Sequence, residues 1–153
     1  MPTIKEIAQG STLNQAELLV KDASYIPEEK LCFCPMGCAK TAKDILAEVA
    51  ATNASLAAAL IGETPDPAFA EQVKRADTRN ELSVLVLESA RIVVAAVDKI
   101  REDDLDKDAT MPWGGVFPLW QAILLPVSHM TYHDGQLNYI QTLLGDSAFH
   151  WME

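Results

Sequence analysis

The strongest constraint on the fold is the spacing of apolar residues, which follows a helical period along most of the sequence. Between Leu82 and Ile100, for example, apolar or small residues recur every three or four positions. That spacing places them on one face of a helix. No segment shows the strict alternation that is typical of a half-buried strand, and no long internal repeat appears. The sequence therefore predicts an all-α fold.

Four long helices are predicted, and residues that start or stop helices mark several of their ends. The predicted ranges are 3–22, 39–60, 78–100 and 116–144. A capping box begins at Thr78, and Gly62 and Gly145 follow the second and fourth helices. We therefore expect one domain, residues 1–153, folded as a four-helix bundle. The longer links after the first and third helices leave room for a crossover connection.

The charge of the chain excludes several classes of partner. It contains 22 acidic and 12 basic residues, for a net charge of −10. The negative electrostatic field of such a chain repels phosphate backbones, and no basic stripe with interleaved aromatic residues offsets it, so we expect no nucleic-acid binding.

No charge-free run approaches the length of a membrane span. The first ten residues, MPTIKEIAQG, lack the pattern of a secretory signal, and we expect a cytoplasmic protein.

Three cysteines lie close together in the segment CFCPMGC. They are Cys32, Cys34 and Cys38. Structural disulfides are rare in cytoplasmic proteins, and these spacings differ from the C-x-x-C of zinc knuckles and thioredoxin-like motifs. We interpret the three as free thiols at the start of the second helix, with a reactive or metal-linked role as the alternative.

The segment HMTYH places His129 and His133 four residues apart within the fourth predicted helix. Residues at this spacing lie one above the other on a helix, so both imidazoles can reach one metal ion. His133 lies on the apolar stripe that contains Met130 and Leu137, and His129 flanks that stripe on the same side. We expect both to point inward or into a cleft. Because Met130 replaces the glutamate of H-E-x-x-H, zinc-protease chemistry is not supported. The alternative is two partly exposed histidines at a bundle edge.

A matching polar residue lies on the second predicted helix. Glu48 stands between Ile45 and Val49 on an otherwise apolar face, where a partly desolvated carboxylate needs a partner or a metal ion. Together with the two histidines it would form a two-histidine, one-carboxylate ligand set with open coordination positions. His150 is a rival ligand, but it follows the stop at Gly145, and we expect it to be exposed.

Two segments resemble the DinB superfamily of metal-binding four-helix bundles (DNA-damage-inducible proteins, not the polymerase of the same name). They are DILAEVA on the second helix and SHMTYHDGQLNYIQTLLGD on the fourth. Members pair a ligand on the second helix with an H-x-x-x-H-x-G-Q segment on the last long helix, and the resemblance covers about residues 15–146. It implies that His129 and His133 are ligands and that Gln136 is the motif glutamine. Glu48 falls where many members have a histidine.

The resemblance also implies a function. Characterised relatives include transferases and isomerases that use a small cellular thiol, and relatives commonly form homodimers. We therefore expect a divalent-metal-dependent enzyme, an S-transferase or a hydrolase, that acts on a small molecule. The catalytic residues are unknown, and Asp44 is the nearest candidate general base by spacing. Zinc or nickel is expected first, because both suit imidazole ligands. Manganese or iron comes second, and these ions are included because the Glu48 carboxylate is a harder ligand than histidine.

Two alternatives remain at this stage. The bundle is then either a non-catalytic, stress-response protein that binds a metal or ligand, or a fold whose polar residues form a buried network without metal.

Two residues near the histidines have structural interpretations. Pro126 is expected to kink the fourth helix. Gly135 costs about 1 kcal/mol relative to alanine in a helix interior, and we interpret it as allowing close approach of a neighbouring helix.

Overall fold

The computed structural model describes residues 1–151 as a bundle of four long helices with a short two-stranded hairpin. In chain order the elements are α1 (Ile4–Ser24), α2 (Ala42–Leu60), α3 (Pro67–Arg75), α4 (Arg79–Lys99), β1 (Asp108–Thr110), β2 (Val116–Pro118), α5 (Leu119–Ala122) and α6 (Leu125–Leu143). The predicted all-α four-helix bundle is thereby confirmed. The last two residues of the predicted domain, 152 and 153, lie outside the described residues.

The helices α2 and α4 run parallel, which locates the crossover connection. Lys43 pairs with Asp77 just before α4, and ten residues further along α2 the Asn53 Nδ2 donates to Ser89 Oγ at 3.1 Å. Because both helices run the same way, the link of residues 61–78 must return along the bundle. The crossover therefore follows the second long helix, and not the first or third as predicted.

The last long helix, α6, lies between α1 and α2. Gln15 Nε2 donates to Asp134 Oδ2 at 3.1 Å, and one to two turns further on, Asn138 Nδ2 donates to Asp22 Oδ2 at 2.7 Å. These contacts make α6 parallel to α1, whereas it is antiparallel to α2. One face of α6 is therefore turned toward α1 and another toward α2.

Capping residues and glycines set the helix ends. The capping box predicted at Thr78 is present. A second box starts α2, where the Asp44 backbone N–H donates to Thr41 Oγ1 and the Thr41 backbone N–H donates to Asp44 Oδ2, both at 3.1 Å. Gly62 and Gly145, predicted as helix stops, have φ values of 69° and 100°, a left-handed conformation that glycine adopts at little cost.

Two segments differ from their predictions. The link after α2 contains a short helix that is not among the four predicted, because Asp66 accepts a hydrogen bond from Ala68 N at 2.9 Å and starts α3 with Pro67 in its first turn. The fourth long helix begins at residue 125 and not at Val116, which lies in β2 after the turn at Gly114 (φ 85°). Pro126 therefore occupies the first turn of α6, where its missing N–H costs nothing, and the predicted kink is wrong.

The core is built from the facing sides of the long helices. In α2 the buried residues include Ile45, Leu46 and Val49. In α1 the buried face consists largely of small residues, whereas Ile7 is 44% exposed. The buried residues of α1 are Ala8, Thr12, Ala16, Leu19, Asp22 and Ala23. Within residues 1–151, none of the helices combines the length and the apolar character that a bilayer span requires.

The three cysteines lie in the connector between α1 and α2, a few residues before the helix begins. All three are free and exposed. Cys34 Sγ lies 3.3 Å from the carbonyl oxygen of Ala39. Their sulfurs belong to no group of three or more potential metal ligands within residues 1–151. The cysteines are free, as interpreted from the sequence, but they precede α2 and do not lie at its start.

Candidate metal centre

Glu48, His129 and His133 meet between α2 and α6. The two imidazoles turn their Nε2 atoms toward each other at 3.1 Å. Glu48 Oε1 lies 3.5 Å from His133 Nε2 and 3.9 Å from His129 Nε2. The structure thus brings together the three residues that the sequence singles out as a ligand set.

The spacing of these three atoms fits a single divalent ion. Ligands that lie 2.0–2.2 Å from a tetrahedral zinc ion are separated from one another by about 3.3 Å. The three measured separations, from 3.1 to 3.9 Å, bracket that value. One carboxylate oxygen and two imidazole nitrogens suit zinc, nickel, iron or manganese. The residues therefore fit a metal ion, and its binding stays a prediction.

The three side chains differ in how far they reach the solvent. The His133 side chain is 1% exposed, His129 is 23% exposed and Glu48 is 35% exposed. The site therefore has a deep imidazole end and an open carboxylate end. A substrate or a water molecule can reach the centre from the side of Glu48.

Gln136 orients His133. The two residues are one helical turn apart on α6, and 2.7 Å separates His133 Nδ1 from Gln136 Oε1. Gln136 Nε2 in turn donates to the Tyr132 hydroxyl at 3.0 Å. With the carbonyl oxygen of Gln136 as acceptor, the imidazole proton resides on Nδ1, and the Nε2 lone pair faces Glu48 and His129. Hydrogen bonds of this kind fix the tautomer and ring orientation of metal-binding histidines.

His129 is held in its neutral form. Burial lowers the pKa of His129 to about 4, and the nearby imidazole of His133 adds to the effect, while the carboxylate of Glu48 opposes it. A neutral imidazole is the form that binds a metal ion. Its Nδ1 is buried and has no hydrogen-bond partner within the described residues. Without an ion, a proton on His129 Nε2 can be donated to His133 Nε2.

Lys40 completes the surroundings of Glu48. Its ammonium group donates to Glu48 Oε2, so that Oε1 remains directed at the histidines. Burial raises the pKa of Glu48, but the hydrogen bond from Lys40 and the neighbouring imidazoles lower it by more, and the net pKa lies below its ordinary value. Glu48 is therefore ionised at neutral pH. Lys40 belongs to the connector before α2, and no motif in the sequence indicates this contact.

Two other candidates lie elsewhere. Asp44 is exposed, and its carboxylate accepts hydrogen bonds from Thr41 at the start of α2, which gives it a capping role. His150 is only 8% exposed, because its ring stacks on Tyr25 with 3.5 Å between ring centroids. Its Nε2 lies 3.0 Å from Asp146 Oδ2. The expectation that His150 is exposed is therefore wrong, and it is engaged outside the ligand group.

Asp134, which follows His133, faces α1 and not the ligand group. Its side chain is buried beside Asp22 and accepts a hydrogen bond from Gln15. Burial and the neighbouring carboxylate of Asp22 raise the pKa of Asp134 to about 7. Asp134 therefore keeps its proton to a higher pH in the folded chain than a carboxyl group in water does.

A cavity of about 280 Å³ lies beside the centre, between the connector and α6. Lys40, Tyr132 and Gln136 are in its lining. Lys40 and Gln136 form hydrogen bonds with ligand residues, and the Tyr132 ring packs edge-on against His133. Gly135 also lines it, and a Cβ atom built on Gly135 would meet no heavy atom within 4 Å. The interpretation of Gly135 as a close helix contact is therefore wrong, since it faces open space.

Comparisons with known proteins support the fold. No family model and no curated protein matches the chain. Among solved structures, it is similar to the crystal structure of a DinB-like protein, YjoA, from Bacillus subtilis, with a TM-score of 0.71 and 16% sequence identity. The match covers 95% of this chain and 96% of that one. The chain therefore has the fold of a DinB-like protein, as the resemblance in its sequence implies.

Proposed function

We propose that the chain is a divalent-metal-dependent enzyme that transfers a small thiol to an electrophilic substrate. The observation that carries the proposal is the convergence of Glu48, His129 and His133 on one point. Their hydrogen-bond partners Lys40 and Gln136 line the neighbouring cavity. Two imidazoles and one carboxylate leave coordination positions free for a substrate. A purely structural metal site is usually closed by a fourth protein ligand.

The chemistry requires an anionic nucleophile at neutral pH. A divalent ion held at this point would lower the pKa of a bound thiol, or of water in a hydrolytic variant of the reaction. The residues of the chain hold that centre in the required state. Gln136 fixes the Nε2 lone pair of His133, burial keeps His129 neutral, and Lys40 leaves Glu48 Oε1 facing the histidines. The site is accessible on the side of Glu48.

A conjugation assay tests this function. Untagged protein loaded with zinc or nickel is incubated with a small thiol and a panel of electrophiles, and thioether formation is followed by mass spectrometry. We expect turnover that is lost in Glu48→Ala and His133→Ala and retained in Asp44→Asn, which alters only the cap of α2. Turnover that survives both ligand substitutions would contradict the catalytic assignment.

The alternative is a non-catalytic bundle of the stress-response type that holds a metal ion or a ligand. It shares the same three ligands, so that metal binding alone does not separate the two functions. One stoichiometric ion without thiol or hydrolytic turnover across the panel would favour this alternative. A cytoplasmic location and a homodimer, both implied by the sequence analysis, remain part of the proposal.

A further inference from the structure

The cavity beside the centre has a defined construction. On α6, Tyr132 and Tyr139 lie one turn before and one turn after Gly135 and flank it on the same helix face. Both tyrosine side chains are more than 60% exposed. Buried Ile45 and Ile140 are also in the lining. The result is a pocket with two aromatic flanks, an apolar part and a glycine between the flanks.

Gly135 determines how much of this space is open. Nothing lies within 4 Å of the position that its Cβ would occupy, so no packing contact requires glycine there. Glycine in a helix interior is nevertheless unfavourable compared with alanine. A side chain larger than alanine at this position would project into the cavity, whose volume of about 280 Å³ is near the lower limit of small-molecule pockets.

Lys40 gives the cavity its charge. Among the lining residues that the structure describes, it is the one with a charged side chain. An ammonium group has three donors, and the described hydrogen bond to Glu48 uses one of them. Two neutral imidazoles, one carboxylate, one ammonium and one divalent ion would together leave two positive charges at the site. The chain as a whole has a net charge of −10, so this local positive charge would make the site a place where an anion binds.

We infer that this cavity binds the substrate thiol, that Lys40 recognises an acidic group on it, and that Gly135 keeps the space open. The ligand class is a small thiol with a carboxylate, because its thiolate and carboxylate match the two uncompensated charges. The inference rests on the proposed function, since the thiolate would be held at the metal centre. Lys40 and Gly135 are then specificity-determining residues.

Cobalt-loaded protein provides the test, with 3-mercaptopropionate and its amide as matched probes. Binding of each thiol is followed by sulfur-to-cobalt charge-transfer absorption. We expect the acid to bind at least ten times more tightly than the amide. Lys40→Met should reduce this ratio to less than twofold, and Lys40→Arg should preserve most of it. A ratio that is unchanged in Lys40→Met would overturn the role of Lys40.

The glycine is tested with two substitutions of different size. Gly135→Ala should raise the midpoint of thermal unfolding, because alanine is favoured over glycine in a helix interior, and should weaken thiol binding less than a larger side chain does. Gly135→Leu should retain cobalt binding but weaken both thiols at least tenfold. Parent-like thiol binding by Gly135→Leu would overturn the assignment of the cavity. Failure of the parent to bind cobalt would contradict the proposed function itself, whereas cobalt binding without a preference for the acid contradicts this inference alone.

Discussion

Glu48 Oε1 on α2 lies 3.5 Å from His133 Nε2 on α6, and the two residues are brought together only by the packing of the two helices. An unfolded chain has no such site. A metal ion that binds here must therefore stabilise the folded state, because it binds that state in preference to the unfolded chain.

Metal addition should raise the free energy of unfolding. At a zinc concentration one hundred times the dissociation constant, we expect a gain of about 2.7 kcal/mol in urea unfolding. His133→Ala should abolish the gain, whereas His150→Ala, remote from the ligand group, should preserve it. An equal gain in the His133 variant would show that zinc stabilises the chain through another site.

Gln136→Leu should weaken metal binding without unfolding the protein. The substitution removes the acceptor of the His133 Nδ1 proton, and loss of such partners typically costs 10–100-fold in metal affinity. Isothermal titration with zinc measures the change. Gln136→Glu retains a carbonyl-type acceptor and should bind within a fewfold of the parent. The exposed Gln121 offers a control, since Gln121→Leu should have no effect on affinity. Equal zinc affinities in the two leucine variants would show that Gln136 does not support metal binding.

Glu48→His should change the metal preference. The variant has the three-histidine set that the resemblance associates with many DinB members. Imidazole favours nickel and copper, while a carboxylate suits manganese. We expect the ratio of nickel to manganese affinity to rise at least tenfold, as measured by competition titrations. If the ratio does not change, Glu48 is not a ligand.

Asp134→Asn should alter the pH dependence of stability in metal-free protein. Burial beside Asp22 raises the folded-state pKa of Asp134 from an ordinary 3.8 to about 7. The folded chain therefore binds a proton that the unfolded chain has lost between pH 4 and 7, and stability falls as pH rises through this window. Asparagine removes that loss, which is on the order of 2–4 kcal/mol. Urea unfolding at pH 5 and pH 8 measures the effect. The free energy of unfolding of the variant, relative to that of the parent, should be higher at pH 8 than at pH 5. An equal difference at both pH values would contradict the raised pKa of Asp134.

The helical period explains how much of the site could be predicted. Glu48 lies beside the apolar face of α2, and the two histidines lie beside the apolar stripe of α6, so the periodicity placed all three near the core. Gln136 could have been assigned its role as well, because a metal-binding histidine needs an acceptor for its second nitrogen and Gln136 lies one turn away.

Other features depend on contacts that no local pattern shows. Lys40 lies in the irregular connector, and only the packing of that segment against α2 brings it to Glu48. The core face of α1 is hard to recognise from the sequence, because small residues such as Ala8 and Ala16 are buried while Ile7 is exposed. The hairpin was missed because each strand is three residues long, too short to show an alternating pattern.

The central claim is that Glu48, His129 and His133 hold one divalent ion. An anomalous difference map from crystals of untagged protein, purified without chelator and supplied with zinc, tests it most directly. The account predicts one peak bonded to Glu48 Oε1 and to the Nε2 atoms of both histidines. Zinc bound instead at Cys32, Cys34 or Cys38, or no peak at the three predicted ligands, would contradict it.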